Sequence, residues 1–301
     1  MLLYAPNRLK AIENIQANIR LGKFNDKVEP DDPVVDEEWL RKAVLSQLSV
    51  RDSLSYKCKN WLARTYVDLL MMRYSKGDSI EGLEKISDLK GGAIVTSNHF
   101  NPFDTGPLRN LSRRTGRRRL WAVSTGTNFV MPGINGFTLR YSDTVPIIDD
   151  KEYMYETFRP MLTAVLQKGN FVLIFPEQEM WFNYRRPRPG KRGAYLFAAE
   201  NFVPVVSVFV EMRDVDKWLS SASSSENEGY FTQVSCVAHV LGVIYPDANL
   251  SVRDNSKMMC ERDNELRREA YERIYHRGID APFHFSDIAG YKGCSPASSE
   301  Y

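Results

Sequence analysis

The spacing of apolar residues changes near residue 80, and this change divides the chain into two parts. Before residue 80 the apolar positions recur every three or four residues, which predicts amphipathic helices over 7–22, 36–50 and 53–75. Asp36 stands directly before Glu37 and Glu38, so we expect it to cap the second helix. An N-terminal helical region over residues 1–79 is therefore predicted.

The third predicted helix carries an apolar stripe, and two interpretations of it stay open. The stripe is formed by Leu62, Tyr66, Leu69 and Leu70, with Arg73 at its end. The favoured prediction is that this stripe packs on the part of the chain that follows, as apolar helix faces usually do. The alternative is that it enters lipid or holds an acyl chain.

Beyond residue 80, short β-branched runs alternate with helical segments. Strands are predicted over 92–96, 120–124, 144–148, 170–175, 203–210 and 230–243, and helices from about 104 and over 152–168, 193–201 and 257–277. Such alternation predicts an α/β fold over residues 80–301, with a mainly parallel or mixed sheet flanked by helices. In open sheets of this kind, functional sites gather at the carboxyl ends of strands.

Composition and cysteine spacing narrow the class of protein. The 301 residues are 43% hydrophobic and 26% charged, which is typical of a globular chain and excludes disordered and fibrous classes. The four cysteines form no CxxC pair, so we expect reduced thiols and neither a zinc site nor a disulfide framework. The apolar runs are too short to span a bilayer. These features predict a cytoplasmic protein whose contact with a membrane is peripheral.

The net charge of +2 conceals two clusters of cations. Six arginines lie within 109–119, and five basic residues lie within 185–192. We expect the first cluster to contact anionic lipid headgroups or an acidic carrier protein. The second is expected to contact phosphate or anionic lipid headgroups, and it is equally consistent with a solvated loop. Nucleic acid is not an expected partner, because aromatic residues do not alternate with these cations.

The segment Ser97-Asn98-His99-Phe100-Asn101-Pro102-Phe103-Asp104 follows the first predicted strand after residue 80. A carboxylate that accepts the Nδ1 proton of a histidine leaves Nε2 free to act as a general base near neutral pH. Asn101 and Pro102 favour a turn that brings His99 and Asp104 together. By spacing alone the pair is a weak signal, because Asp104 could simply cap its helix and a single histidine usually has a structural role.

Three further motifs follow in order: Gly136-Phe137-Thr138-Leu139-Arg140, Phe175-Pro176-Glu177-Gln178 and Val203-Pro204-Val205-Val206. Together with Asn98–Asp104 they resemble the four motifs of the glycerolipid and lysophospholipid acyltransferase superfamily, over about residues 81–211. The resemblance implies transfer of a fatty acyl group from acyl-CoA or acyl carrier protein to a hydroxyl of a glycerol-phosphate or lysophospholipid-type acceptor. It implies no metal and no cofactor besides the donor substrate.

The resemblance also assigns roles to individual residues. His99 is expected to be the general base, and Asp104 to orient its ring. Arg140 and Glu177 are expected to hold the phosphate region of the acceptor or to shape the pocket around it. The other expected site residues are Gln178, Lys191 and Arg192 near the phosphate, and Asn98, Gly136, Pro176 and Pro204 in support. Gln178 replaces a glycine of the family motif, so the resemblance leaves the acceptor and the pocket geometry open.

Two alternatives from other classes remain. One is a non-catalytic module of the same fold that binds lipid or a carrier protein. The other is a hydrolase in which His99 activates water to cleave a thioester or a lipid. The retention of both His99 and Asp104 favours an enzyme over the binding module.

Overall fold

The computed structural model describes residues 7–30, 35–74, 78–116, 119–218 and 230–293. Arg117 and Arg118 of the first cationic cluster and Cys294 lie outside these residues.

Three helices form the N-terminal region, close to the predicted bounds: α1 (Arg8–Arg20), α2 (Glu37–Ser49) and α3 (Leu54–Tyr74). The Asp36 side chain accepts a hydrogen bond from the Trp39 backbone N–H at 2.8 Å, which confirms the predicted cap. This contact satisfies one of the backbone donors that every helix leaves unpaired at its start.

Seven strands form one sheet in the order β1-β7-β6-β2-β5-β3-β4. They are β1 (Ser79–Glu81), β2 (Ala93–Thr96), β3 (Leu120–Thr125), β4 (Thr144–Ile147), β5 (Phe171–Ile174), β6 (Val205–Trp218) and β7 (Thr232–Ile244). All neighbours pair in parallel except β6 and β7, which are antiparallel. The sheet is thus mixed, and the predicted α/β fold is confirmed.

The connecting helices are α4 (Thr105–Arg114), α5 (Gly126–Val130), α6 (Gly133–Tyr141), α7 (Lys151–Tyr153), α8 (Arg159–Gln167), α9 (Gly193–Glu200) and α10 (Val252–Tyr275). Short 3-10 helices lie at Leu83–Ile86 and Phe285–Asp287. A π-helical turn, Met154–Phe158, joins α7 to α8, so the helix predicted over 152–168 is continuous but locally widened. Strand β1 and helices α5 and α6 were not predicted.

Both faces of the sheet are buried, because side chains alternate along each strand. In β5, Val172 packs into one apolar core and Leu173 into the other, and Ile94 and Val95 of β2 divide in the same way. Two layers of helices therefore enclose the central strands, and only their ends open toward solvent.

The prediction that the apolar stripe of α3 packs on the following domain is wrong. The side chains of Leu62, Tyr66 and Leu69 are 52%, 43% and 58% exposed. The buried face of α3 is instead formed by Tyr56, Ala63, Val67 and Met71, and Tyr56 and Ala63 share a small core with Tyr141. Residues of different sizes pack on this face, while Leu62, Tyr66 and Leu69 point outward.

None of the helices in the described ranges combines the length and the apolar character that a bilayer crossing requires.

Candidate active site

The site begins at the carboxyl end of β2, which lies between β5 and β6 in the sheet. Here the chain turns away from the sheet before α4. His99 Nδ1 lies 2.6 Å from Asp104 Oδ2, and the same oxygen accepts the Phe100 backbone N–H at 3.2 Å. Asp104 is 3% exposed, and the His99 side chain is 21% exposed. The buried carboxylate is thus fixed from two directions, and the imidazole is partly open to solvent.

This geometry is suited to general-base chemistry. When Asp104 accepts the Nδ1 proton, the free lone pair of His99 lies on Nε2, a tautomer assigned from the contact. The imidazole also stacks on the Phe175 ring, with centroids 4.1 Å apart and planes 10° apart. The carboxylate and the aromatic ring together restrict rotation of the imidazole.

Glu177 lies behind this loop and is 1% exposed. Its Oε2 accepts the His99 backbone N–H at 3.3 Å, and Oε1 accepts the Arg188 backbone N–H at 3.0 Å. Ion pairs join the carboxylate to Arg188 at 3.0 Å and to Arg267 at 3.1 Å. These contacts favour a role in shaping the site over direct contact with an acceptor phosphate.

The backbone of the His99 loop is held along its length by the segment that follows β5. The Trp181 N–H donates to the His99 carbonyl at 3.1 Å, and the Asn183 N–H donates to the Phe100 carbonyl at 2.7 Å. The Arg188 guanidinium donates to the His99 carbonyl at 3.4 Å. Both the amide and the carbonyl of His99 therefore have partners, which fixes the direction of its side chain.

Asn98 connects the loop to the neighbouring strand β6. Its side-chain amide donates to the Val210 carbonyl at 3.0 Å, and its oxygen accepts the Val210 N–H at 2.8 Å. The side chain thus continues the pairing of β2 with β6 beyond the last backbone pair. These two hydrogen bonds hold the start of the His99 loop against β6.

Arg140 and Gly136 lie on α6, and the described contacts do not join them to the His99 loop. The Arg140 Nε donates to the Phe129 carbonyl at 2.9 Å, and its Nη2 donates to the Met131 carbonyl at 3.4 Å. At Gly136 an added Cβ would lie 1.5 Å from the Met131 carbonyl oxygen. The glycine of this motif therefore permits close backbone contact between α6 and the preceding turn.

Gln178, Lys191 and Arg192 are exposed next to the Glu177 segment. The Lys191 N–H donates to the Pro176 carbonyl at 2.8 Å, so these two motif residues are neighbours. Gln178 has φ 65°, which is the left-handed region that favours glycine. The residue that replaces the family glycine thus keeps a glycine-like backbone.

Pro204 lies away from these residues, at the amino end of β6. Its carbonyl accepts the Ile94 N–H at 3.0 Å, where β6 starts to pair with β2. Since β2 and β6 are parallel, His99 follows the carboxyl end of β2 whereas Pro204 lies at the opposite end of these two strands.

The expectation that the second cationic cluster is available to lipid or phosphate is wrong for three of its members. Arg185 pairs with Asp214 at 2.5 Å, Arg186 pairs with Asp287 at 2.7 Å, and Arg188 pairs with Glu177. These guanidinium groups bind acids of the protein itself because each lies near a buried or half-buried carboxylate.

The first cationic cluster is divided in the same way. Arg113 and Arg114 are exposed, but Arg109 is buried and donates to the Ser142 carbonyl at 2.9 Å. Arg119 pairs with Asp143, which is 2% exposed. Burial lowers the pKa of Arg109, and Asp143 opposes that effect.

Sequence analysis missed three residues that build the site. Phe175 was named only as part of the third motif, without a role at the site. Arg188 was counted only as one of the basic residues within 185–192. Arg267 lies in the charged helix α10, where nothing in the local sequence distinguishes it from other arginines. Burial lowers the pKa of Arg188, whereas at Arg267 the charges of Asp263 and other neighbours outweigh burial and raise the pKa. Both groups stay charged in the protein.

Part of the chain is similar to known acyltransferases. Residues 79–211 match the family model described as Acyltransferase. This match lies over the segment that carries the four motifs, and it confirms their predicted resemblance to acyltransferases.

Seven solved chains match the structure. Among them is PlsC, the 1-acyl-sn-glycerophosphate (LPA) acyltransferase from Thermotoga maritima, at 16% identity and a TM-score of 0.48. That match covers 80% of this chain and 97% of the other. A comparison with curated proteins gave no match.

Proposed function

We propose that this acyltransferase moves a fatty acyl group from acyl-CoA or acyl carrier protein to a hydroxyl of a glycerol-phosphate or lysophospholipid-type acceptor. The observation that carries the proposal is the 2.6 Å contact of His99 with Asp104 at the carboxyl end of the central strand, within the matched domain.

In the proposed reaction, Nε2 of His99 accepts the proton of the acceptor hydroxyl. The oxygen attacks the thioester carbonyl carbon, the new C–O bond forms, and the C–S bond breaks. The imidazolium then returns the proton to the leaving thiolate, so the enzyme ends in its starting state. Asp104 stabilises the imidazolium and holds the reactive tautomer. We propose that neither a metal nor a cofactor takes part.

For the acceptor, we propose that the exposed cations Lys191 and Arg192 contact its phosphate beside Gln178. The guanidinium of Arg192 can bind phosphate through a bidentate pair of hydrogen bonds, and the ammonium of Lys191 acts as a point charge. We propose that Arg140 donates to the same phosphate through Nη1, because its contacts with the two carbonyls use Nε and Nη2.

We also propose that the protein acts in the cytoplasm, bound peripherally to an anionic membrane. In support, one face of α3 exposes Leu54, Trp61, Leu62, Tyr66, Leu69 and Met72, opposite the buried face. Lys57, Lys59 and Arg73 are exposed on the same helix. An apolar helix face flanked by cations is typical of surface-bound helices.

A mutant cycle at His99 and Asp104 tests the reaction. General-base catalysis contributes about 10²–10⁴-fold, so His99→Ala should lower kcat of acyl transfer by at least about a hundredfold. Asp104→Asn should also lower kcat strongly, and the double variant should lose little more than His99→Ala, because the pair acts as a unit. Donors and acceptors are screened by mass spectrometry of the lipid product, and circular dichroism confirms folding.

The same assay separates the alternatives. Additive losses, or a folded His99→Ala variant within about threefold of wild type, would contradict general-base catalysis and favour the binding module. Free fatty acid that appears at an undiminished rate without acceptor would favour the hydrolase.

Vesicle sedimentation tests membrane binding. Binding to anionic vesicles should weaken as salt rises, because exposed charges are screened over about 8 Å at physiological ionic strength. Trp61→Ser should reduce it, whereas Tyr155→Ser, an exposed aromatic of the π turn, is the matched control. Equal loss in both variants, or binding that salt does not change, would contradict the role of α3.

A further inference from the structure

The buried carboxylate of Glu177 connects the His99 loop to the C-terminal helix. It has four donors: the His99 N–H, the Arg188 N–H, and the guanidinium groups of Arg188 and Arg267. The side chains of Glu177 and Arg267 are 2% and 0% exposed. Bulk solvent therefore does not reach this ion pair in the folded protein.

Arg267 is itself held in one position by other residues of α10. Its Nη2 donates to Asn264 Oδ1 at 2.8 Å, and its Nε lies 3.3 Å from Asp263 Oδ2. The Tyr195 hydroxyl donates to the same Asp263 oxygen at 2.5 Å. Two arginines and two acids thus form a buried group with balanced charge, in which each ion has a defined partner.

The loop before α9 packs closely against Arg267 at Gly190. A Cβ at Gly190 would lie 2.9 Å from the Arg267 guanidinium and 3.1 Å from Pro176. The Gly190 N–H donates to Asn264 at 3.0 Å. The absence of a side chain at 190 lets the arginine reach the Glu177 segment.

We infer that Arg267 is a positioning residue for His99, acting through Glu177. With Arg267 in place, the Glu177 carboxylate is oriented toward the His99 amide, and the imidazole is held against Asp104. This role lies outside the segment that matches the family, and it rests on the proposed function of His99. Displacement of a reacting group by about 1 Å can lower a rate by about a hundredfold, so positioning of this kind should appear in kcat.

Steady-state kinetics of Arg267→Gln and Arg267→Lys test the inference. Arg267→Gln should lower kcat by about ten- to a hundredfold, with the KM of both substrates within about threefold of wild type. Arg267→Lys keeps the positive charge but not the planar guanidinium with its several N–H donors, so its kcat should fall less than that of Arg267→Gln. Tyr271→Leu is the control, because Tyr271 is 1% exposed on the same helix but packs in a separate core with Phe209. It should keep kcat at a temperature where all variants are folded.

Hydrogen–deuterium exchange gives a second readout that does not depend on activity. The amides of residues 97–104 should exchange faster in Arg267→Gln than in Tyr271→Leu of equal thermal stability. If Arg267 variants do not fold, Asn264→Ala, which removes one contact of Arg267, should still speed exchange and lower kcat by at least about threefold.

The outcomes separate this inference from the proposed function. Unchanged kcat in a folded Arg267→Gln, or equal losses in Arg267→Gln and Tyr271→Leu, would overturn the positioning role and leave the reaction intact. Unchanged exchange over 97–104 would overturn it as well. Wild-type protein that transfers no acyl group would contradict the proposed function, while the exchange data would still report whether Arg267 holds the loop.

Discussion

Replacement of Gln178 by glycine should stabilise the protein. The backbone of Gln178 has φ 65°, and its side chain is exposed. A non-glycine residue in the left-handed region is disfavoured by about 1–2 kcal/mol. Glycine removes that strain but raises the entropic cost of folding by about 0.5–1 kcal/mol. The difference predicts that Gln178→Gly is more stable by about 0.5–1 kcal/mol, which corresponds to about 1–4 °C in Tm.

Thermal and denaturant unfolding of wild type, Gln178→Gly and Gln178→Ala measure this effect. Gln178→Ala keeps the strained backbone and removes the side chain, so its stability should lie within about 0.5 kcal/mol of wild type. If Gln178→Gly instead lowers the Tm by more than about 2 °C, the side chain stabilises the fold by more than the strain costs, and the reasoning is refuted. Acceptor KM values of the two variants then show whether the side chain or the backbone selects the acceptor.

Three further outcomes are expected. Gly136→Ala places a methyl group 1.5 Å from a carbonyl oxygen, so it should destabilise the fold by more than about 4 kcal/mol in denaturant unfolding. Burial alone would raise the pKa of the Glu211 carboxyl, but hydrogen bonds from Arg213 and His239 outweigh burial and lower the pKa. The stability that the ionised carboxylate adds above the unfolded-state pKa should therefore be lost as pH falls through the folded-state pKa. Glu211→Gln should make the Tm depend less on pH in this acid range. Maleimide should label Cys58, which is exposed, before the two other described thiols, whose pKa values burial raises, as peptide mass spectrometry can show.

The elements that could be predicted are those whose pattern is complete within a few residues. The bounds of α1, α2 and α3 agree with the apolar spacing, and the buried strands β2 and β5 follow from their β-branched runs. Helix α5 was missed because it has only five residues, and α6 was missed because it contains two glycines, Gly133 and Gly136, which disfavour helix formation. The contact of His99 with Asp104 could be expected because only five positions separate the two residues.

The ion-pair partners of the charged residues could not be predicted from the sequence. A cationic run shows how many charges are near each other along the chain, but not that Arg186 lies beside Asp287 or Arg188 beside Glu177. The stripe on α3 failed for a similar reason. Its spacing identifies an apolar face, but the covering partner lies elsewhere in the sequence. Here that partner covers the face that carries Ala63 and Val67 and leaves the predicted stripe exposed.

The connection from His99 through Glu177 to Arg267 has a consequence for synthesis of the protein. Glu177 lies 78 positions after His99, and Arg267 lies a further 90 positions on. A nascent chain that has folded β2 and its neighbours therefore lacks the Arg267 contact to Glu177 until α10 leaves the ribosome. At about 5–20 residues per second, the last 90 positions alone take several seconds to translate. During that interval the Glu177 carboxylate has Arg188 but not Arg267 as a counter-charge, so the histidine loop reaches its final arrangement only after α10 has been made.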